Sequence, residues 1–201
     1  MDEVKLPQGW YQKIAQEEIN LMPLGKWDGA TRLVSTDAGL QEAALAWQNQ
    51  TLLGFDTETR PTFRKGVIYA PSLIQLALDN EVQLIQLQGI KDHSPLGKLF
   101  SNSAIRKVGV GLEQDIRKLQ GVFSFSPNGF LDLASVAERL GLPNRGLRSM
   151  AAAHLRLRIS KRAKCSNWAK EELKPFQIVY AATDAWIGRE LYRTFEEYRV
   201  I

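Results

Sequence analysis

Three apolar runs stand close together in the first half of this chain, and they limit its fold more than any other feature. Leu52-Leu53-Gly54-Phe55 leads into Asp56-Thr57-Glu58, Ser72 to Leu78 follows a loop, and Val82 to Leu87 comes next. Only Asp79-Asn80-Glu81 separates the last two runs, which predicts a tight antiparallel hairpin. Beyond the hairpin the pattern changes. Arg106 to Gly111 reads as a strand entering a glycine turn, and Phe130 to Leu133 as a short strand. Each is followed by residues at helical spacing, Glu113 to Leu119 and Ala134 to Leu140. An earlier strand, Thr31 to Ser35, precedes a helix that starts at Thr36-Asp37. Further helices are predicted at Leu96–Phe100, Leu147–Leu155 and Gln177–Tyr198, the last introduced by Pro175. A meander followed by strand–helix crossovers implies an α/β fold with a mixed sheet covered by helices on both faces. Residues 31–201 are expected to form that domain. Residues 1–30 read as an N-terminal extension, with a short helix within Gln12–Leu21 and breaks at Pro23, Gly25 and Gly29.

The acids in this frame carry the chemistry. Asp56 and Glu58 are two apart in a strand, so both carboxylates point to one face. Two acids on the same face of a buried sheet are costly unless a cation neutralises them. Taken alone, Asp-x-Glu is more commonly a strand end emerging into solvent. Tyr180 and Asp184 are four apart in the last helix and share a face among small and apolar neighbours. On its own this pair also fits an exposed acid beside a core-edge tyrosine. Asp115 follows the Lys107-Val108-Gly109-Val110-Gly111 run near a helix start, where an acid can simply suit the helix dipole, and Glu113 is its rival.

As an ordered set these segments resemble the DEDD superfamily of 3′→5′ exonucleases, in the subtype whose third motif is Tyr-x-x-x-Asp. The motifs stand here as Phe55-Asp56-Thr57-Glu58-Thr59, Lys107 to Asp115, and Tyr180-Ala181-Ala182-Thr183-Asp184-Ala185-Trp186. Arg60-Pro61-Thr62-Phe63 and Cys165-Ser166-Asn167-Trp168 extend the likeness towards the Werner-type exonuclease domain and its stand-alone bacterial relatives. Neither His93 nor His154 falls in the third motif, so the histidine subtype is not matched. The resemblance implies a ribonuclease H-like α/β/α domain, and removal of nucleoside 5′-monophosphates from nucleic-acid 3′ ends, with DNA favoured over RNA. It also implies two divalent cations, Mg²⁺ or Mn²⁺. Asp56 would bridge them, Glu58 and Asp184 would complete the site of the water-activating ion, and Asp115 would serve the second. Tyr180 would orient the attacking water.

Substrate contacts are expected from the basic stretch Arg156, Arg158, Lys161, Arg162 and Lys164, which leads towards the third motif. Such a run is equally a solvated face. Phe63, Tyr69 and Trp168 are candidates for stacking on bases, although Trp168 fits a core position as well. Composition adds bounds. With 26 Lys and Arg against 22 Asp and Glu, the net charge of +4 mildly favours a polyanionic partner. Cys165 is the only cysteine, which excludes an internal disulfide and a multi-cysteine zinc site. No run approaches the ~18 apolar residues of a membrane span, and the first residues lack a signal-peptide core. A reducing, cytoplasmic setting without membrane contact is the expectation.

Overall fold

The computed structural model describes residues 6–62 and 66–201. Its strands are β1 (Ala30–Val34), β2 (Leu52–Glu58), β3 (Leu73–Ala77), β4 (Glu81–Gln86), β5 (Arg106–Gly109) and β6 (Phe130–Asp132). They form one sheet in the order β1-β4-β3-β2-β5-β6. The β2–β3 and β3–β4 pairs are antiparallel, and β1–β4, β2–β5 and β5–β6 are parallel. The hairpin and the mixed sheet thus form where the apolar runs placed them.

Helices cover both faces. On one side lie α2 (Asp37–Leu45), α3 (Ser94–Ser101) and α4 (Glu113–Gln120). Leu40, Leu96, Phe100 and Leu119 from these helices pack on Leu53, Phe55, Ile74, Leu76 and Ile85 of the sheet. On the other side lie α5 (Leu133–Arg139), α6 (Leu147–Leu155) and the long α7 (Pro175–Glu197). Leu73, Ala77 and Leu84 meet Ala181, Ala182 and Ala185 of α7 there. Helix α7 starts at Pro175, two residues before the predicted start, because proline at a helix's first position loses no hydrogen bond.

The alternation of β2 decides where its acids go. Leu53 and Phe55 face the α2–α3 side, so Asp56 and Glu58 face α7. Helix α7 can lie close to the sheet because β2 carries Gly54 beneath it. A Cβ at Gly54 would stand 2.1 Å from the Ala185 carbonyl oxygen. Asp132 fixes the turn between β5 and α4. Its carboxylate accepts from Gly111 N and Leu112 N, both at 2.9 Å, and from Ala134 N at the start of α5. Gly111 takes a φ of +78° in this turn, a conformation glycine adopts without strain.

The N-terminal segment is docked onto the domain. Trp10 is buried against His154, Phe195 and Tyr198. Helix α1 (Gln16–Leu21) sets Ile19 beside Ala152 together with Met22. It is shorter than Gln12–Leu21 because the preceding backbone pairs elsewhere. Ile14 N donates to Asn144 Oδ1 at 3.2 Å, and Asn144 Nδ2 donates to the Gln12 carbonyl at 2.8 Å. No described helix is long and apolar enough to cross a membrane.

Candidate active site

The first motif enters on β2, the second on α4 and the third on α7. Asp56 and Glu58 come from the strand end, Asp115 from the first turn of α4, and Tyr180 and Asp184 from the middle of α7. Thr57 points to the opposite face from its neighbours and ties β2 to α4. Its hydroxyl donates to Asp115 Oδ1 at 2.8 Å. This contact turns Asp115 towards β2, whereas Glu113 pairs with Arg117 on the surface of α4. Asp56 Oδ1 accepts from Thr57 N at 2.8 Å. The Tyr180 hydroxyl and the Asp184 carboxyl, one turn apart on α7, interact electrostatically.

The electrostatics show how closely these groups interact. Burial raises the Asp56 carboxyl well above the usual range, and the charges of Asp184 and Asp115 add to that. Burial likewise pushes Glu58 up to about 10, with further repulsion from Asp56, Asp184 and Asp115 and some relief from Lys164. Asp184 rises to about 7 through burial, opposed by the Tyr180 hydroxyl and by Arg148. Asp115 is raised by burial and eased by Thr57. Burial, then the charges of Asp184 and Glu58, move Tyr180 far above its ordinary value, so its hydroxyl stays protonated. Among the described residues, no three His, Cys, Asp or Glu side chains are grouped tightly enough to hold a metal ion as they stand.

The basic stretch divides into two parts. Arg156 takes a left-handed conformation at the end of α6, with φ 56°, and pairs with Glu18 at 3.0 Å. Arg158 N donates to the Pro23 carbonyl, and its Nε to the Met22 carbonyl at 3.4 Å. Both residues thus contact the N-terminal segment, Arg156 through an exposed ion pair and Arg158 through main-chain carbonyls. Lys161 and Lys164 line a cavity of about 430 Å³ bounded by Tyr180 and Asp184. Arg162 lies over the Phe176 ring, 5.3 Å from its centroid, beside a neighbouring cavity. Trp168 is 1% exposed and packs 6.0 Å from Tyr180, so it supports that ring and offers no face to a base. The face of Tyr69 is covered by the Arg60 guanidinium at 3.7 Å. Phe63 lies outside the described residues.

Sequence reasoning missed three residues here. Arg148, in the first turn of α6, lines the cavity with Lys161 and Lys164 and acts on Asp184. Thr57 is the link to Asp115. Gln75 is paired with Asp56 across the sheet and fully buried, and neither of its amide atoms has a hydrogen-bond partner among the described residues. A lone glutamine at the matching parity of an apolar strand was the signal for it.

Known proteins share this architecture. Residues 31–198 match the 3′-5′ exonuclease family. Ribonuclease D of Haemophilus influenzae is 31% identical over 83% of this chain and 41% of its own length. The mouse (Mus musculus) bifunctional 3′-5′ exonuclease/ATP-dependent helicase WRN is 29% identical over 76% of this chain and 11% of its own. The chain thus spans less than half of either relative. The crystal structure of the Aedes aegypti Nibbler EXO domain superimposes with a TM-score of 0.75 at 25% identity, over 88% of this chain and 91% of that one. The sheet order, the acids brought together from three motifs and these likenesses agree: the fold is ribonuclease H-like, and the chain belongs to the 3′-5′ exonuclease family.

Proposed function

We propose that this chain hydrolyses the terminal phosphodiester at nucleic-acid 3′ ends and releases nucleoside 5′-monophosphates. The observation that carries this reading is the convergence of half-buried Asp56, Glu58 and Asp115 with buried Asp184 beside a protonated Tyr180, Asp184 and Asp115 repelling Asp56 and all three repelling Glu58. A cluster of that kind destabilises the chain unless it serves to gather cations. The donors are all oxygens, which suits two Mg²⁺ or Mn²⁺ ions held by the four acids. When bound, such ions neutralise the phosphoryl oxygens, acidify water and stabilise the leaving oxygen. Tyr180 keeps its proton and so acts as a hydrogen-bond donor, orienting the attacking water. Arg148, Lys161 and Lys164 draw the phosphate chain to the acids. A reducing, cytoplasmic setting belongs to the same reading and rests on Cys165 as the lone cysteine.

DNA is the substrate expected from the Werner-type likeness. A specific observation favours RNA as well, namely 31% identity to ribonuclease D over 83% of the chain. A panel of DNA and RNA strands with labelled 3′ ends tests both. Label should leave linear strands as mononucleotides, while covalently closed circles survive. Efficient cutting of a circle would overturn the exonuclease reading.

The divided basic stretch gives a differential prediction. Exchanging Lys161 and Lys164 together for glutamine should raise KM and lower the salt slope of binding by about two phosphates' worth of counterions. Arg156→Gln should leave that slope unchanged and loosen the N-terminal segment instead. Binding titrations at several salt concentrations, with limited proteolysis, check both halves. Equal slopes for all variants would remove Lys161 and Lys164 from the substrate path.

A further inference from the structure

We propose that Leu24, Lys26 and the outer face of α7 form a seat for one unpaired nucleotide of the substrate strand. The inference rests on the exonuclease reading and adds to it a selection for unpaired ends. Leu24 and Lys26 precede residue 31, where the family match begins. They nevertheless form a fixed wall of the site. Gly25 N donates to the Arg158 carbonyl at 2.9 Å, and Trp27 N donates to Thr183 Oγ1 at 2.9 Å, one residue before Asp184. The Trp27 ring packs on Trp186, with centroids 5.9 Å apart.

Between this wall and α7 lies a cavity of about 310 Å³. Leu24 and Val179 line it and are 49% and 41% exposed, large apolar groups left open to solvent. Phe176 adds a ring to the same surface, and Lys26 and Arg162 add two positive charges to it. Apolar walls beside cations match a nucleotide, with its base against the side chains and its phosphate on the ammonium or guanidinium. The volume is that of a small-molecule pocket and admits a single nucleotide, not a duplex. Tyr180 and Asp184 line the same cavity, so a nucleotide seated here is continuous with the reacting end. A strand must be unpaired where it enters.

The test uses two variants of the full chain, Leu24→Ser with Val179→Ser, and Lys26→Gln. Each alters exposed side chains, so thermal midpoints should match that of the unaltered protein. A short fluorescent single strand and a blunt duplex of the same sequence are titrated in chelator. Hydrolysis of bis(p-nitrophenyl) phosphate with Mn²⁺ reports the acid centre separately. The serine pair should weaken single-strand binding about tenfold and leave duplex binding and ester hydrolysis unchanged. Lys26→Gln should reduce the salt slope by about one phosphate. Unchanged single-strand affinity in both variants, or equal weakening for single strand and duplex, would overturn the proposal. If the unaltered protein hydrolysed neither strands nor ester, the exonuclease reading would fail, and the titrations would still judge the seat.

Discussion

Replacing Asp56 with asparagine should lower metal-dependent hydrolysis by at least about 10³-fold, roughly 4 kcal/mol of barrier, and make the metal-free protein more stable. The two effects have one cause. Burial of Asp56 and its repulsion by Asp184 and Asp115 already hold its carboxyl far above the usual range. Asparagine keeps the shape and the oxygen that accepts from Thr57 N, and it removes the charge that a divalent ion needs. Relief of repulsion worth about 1–2 kcal/mol should raise the metal-free thermal midpoint by roughly 2–8 °C. The unaltered metal-free protein should also depend on pH. Asp184 titrates at about 7 and Glu58 at about 10 in the folded chain, against ~4 when unfolded. A carboxyl raised in this way holds its proton more tightly when folded. Its contribution to stability is complete below about pH 4 and is lost as pH rises through the folded value. Thermal scans in chelator should therefore show a falling midpoint from about pH 5 to about pH 8, less steep for Asp56→Asn. Added Mn²⁺ at the higher pH should restore it. A variant with normal activity, or a flat pH profile for both proteins, would remove Asp56 from the centre of the cluster.

How much of this was legible follows from the range of each signal. The period of two in β2 put Asp56 and Glu58 on one face, and a three-residue gap closed the β3–β4 hairpin. The spacing of four put Tyr180 and Asp184 together on α7. All of these are local geometry. Arg148 was not legible, because an arginine in the first turn of a helix looks like any surface residue until α6 is packed beside α7. The division of the basic stretch was hidden for a related reason. The left-handed turn at Arg156 sends the chain back along Pro23 and Gly25, so neighbours in sequence part company in space. The docking of residues 6–30 was hidden too. Trp10, Ile19 and Met22 are isolated apolar residues with no period, and only the surfaces of α6 and α7 give them a partner.

Tyr180→Phe should reduce kcat by about 10²-fold while metal affinity stays nearly unchanged. The ring is held from behind by Trp168, and phenylalanine preserves that packing. What the variant lacks is a hydroxyl that stays protonated because burial and the charges of Asp184 and Glu58 oppose its ionisation. A phenol in that state cannot serve as a base at neutral pH. It can donate a hydrogen bond, and with cations held by the four acids it would donate to the attacking water. The contact tightens as the nucleophile moves in line, so the loss falls on kcat more than on KM. Asp184→Asn, in contrast, should weaken metal binding and catalysis together, because it removes charge from the ligand set. Steady-state kinetics of both variants beside Mn²⁺ titrations separate the two roles. Full kcat in Tyr180→Phe would reduce the tyrosine to a packing residue on Trp168, whereas loss of Mn²⁺ affinity in that variant would place its hydroxyl among the metal's ligands.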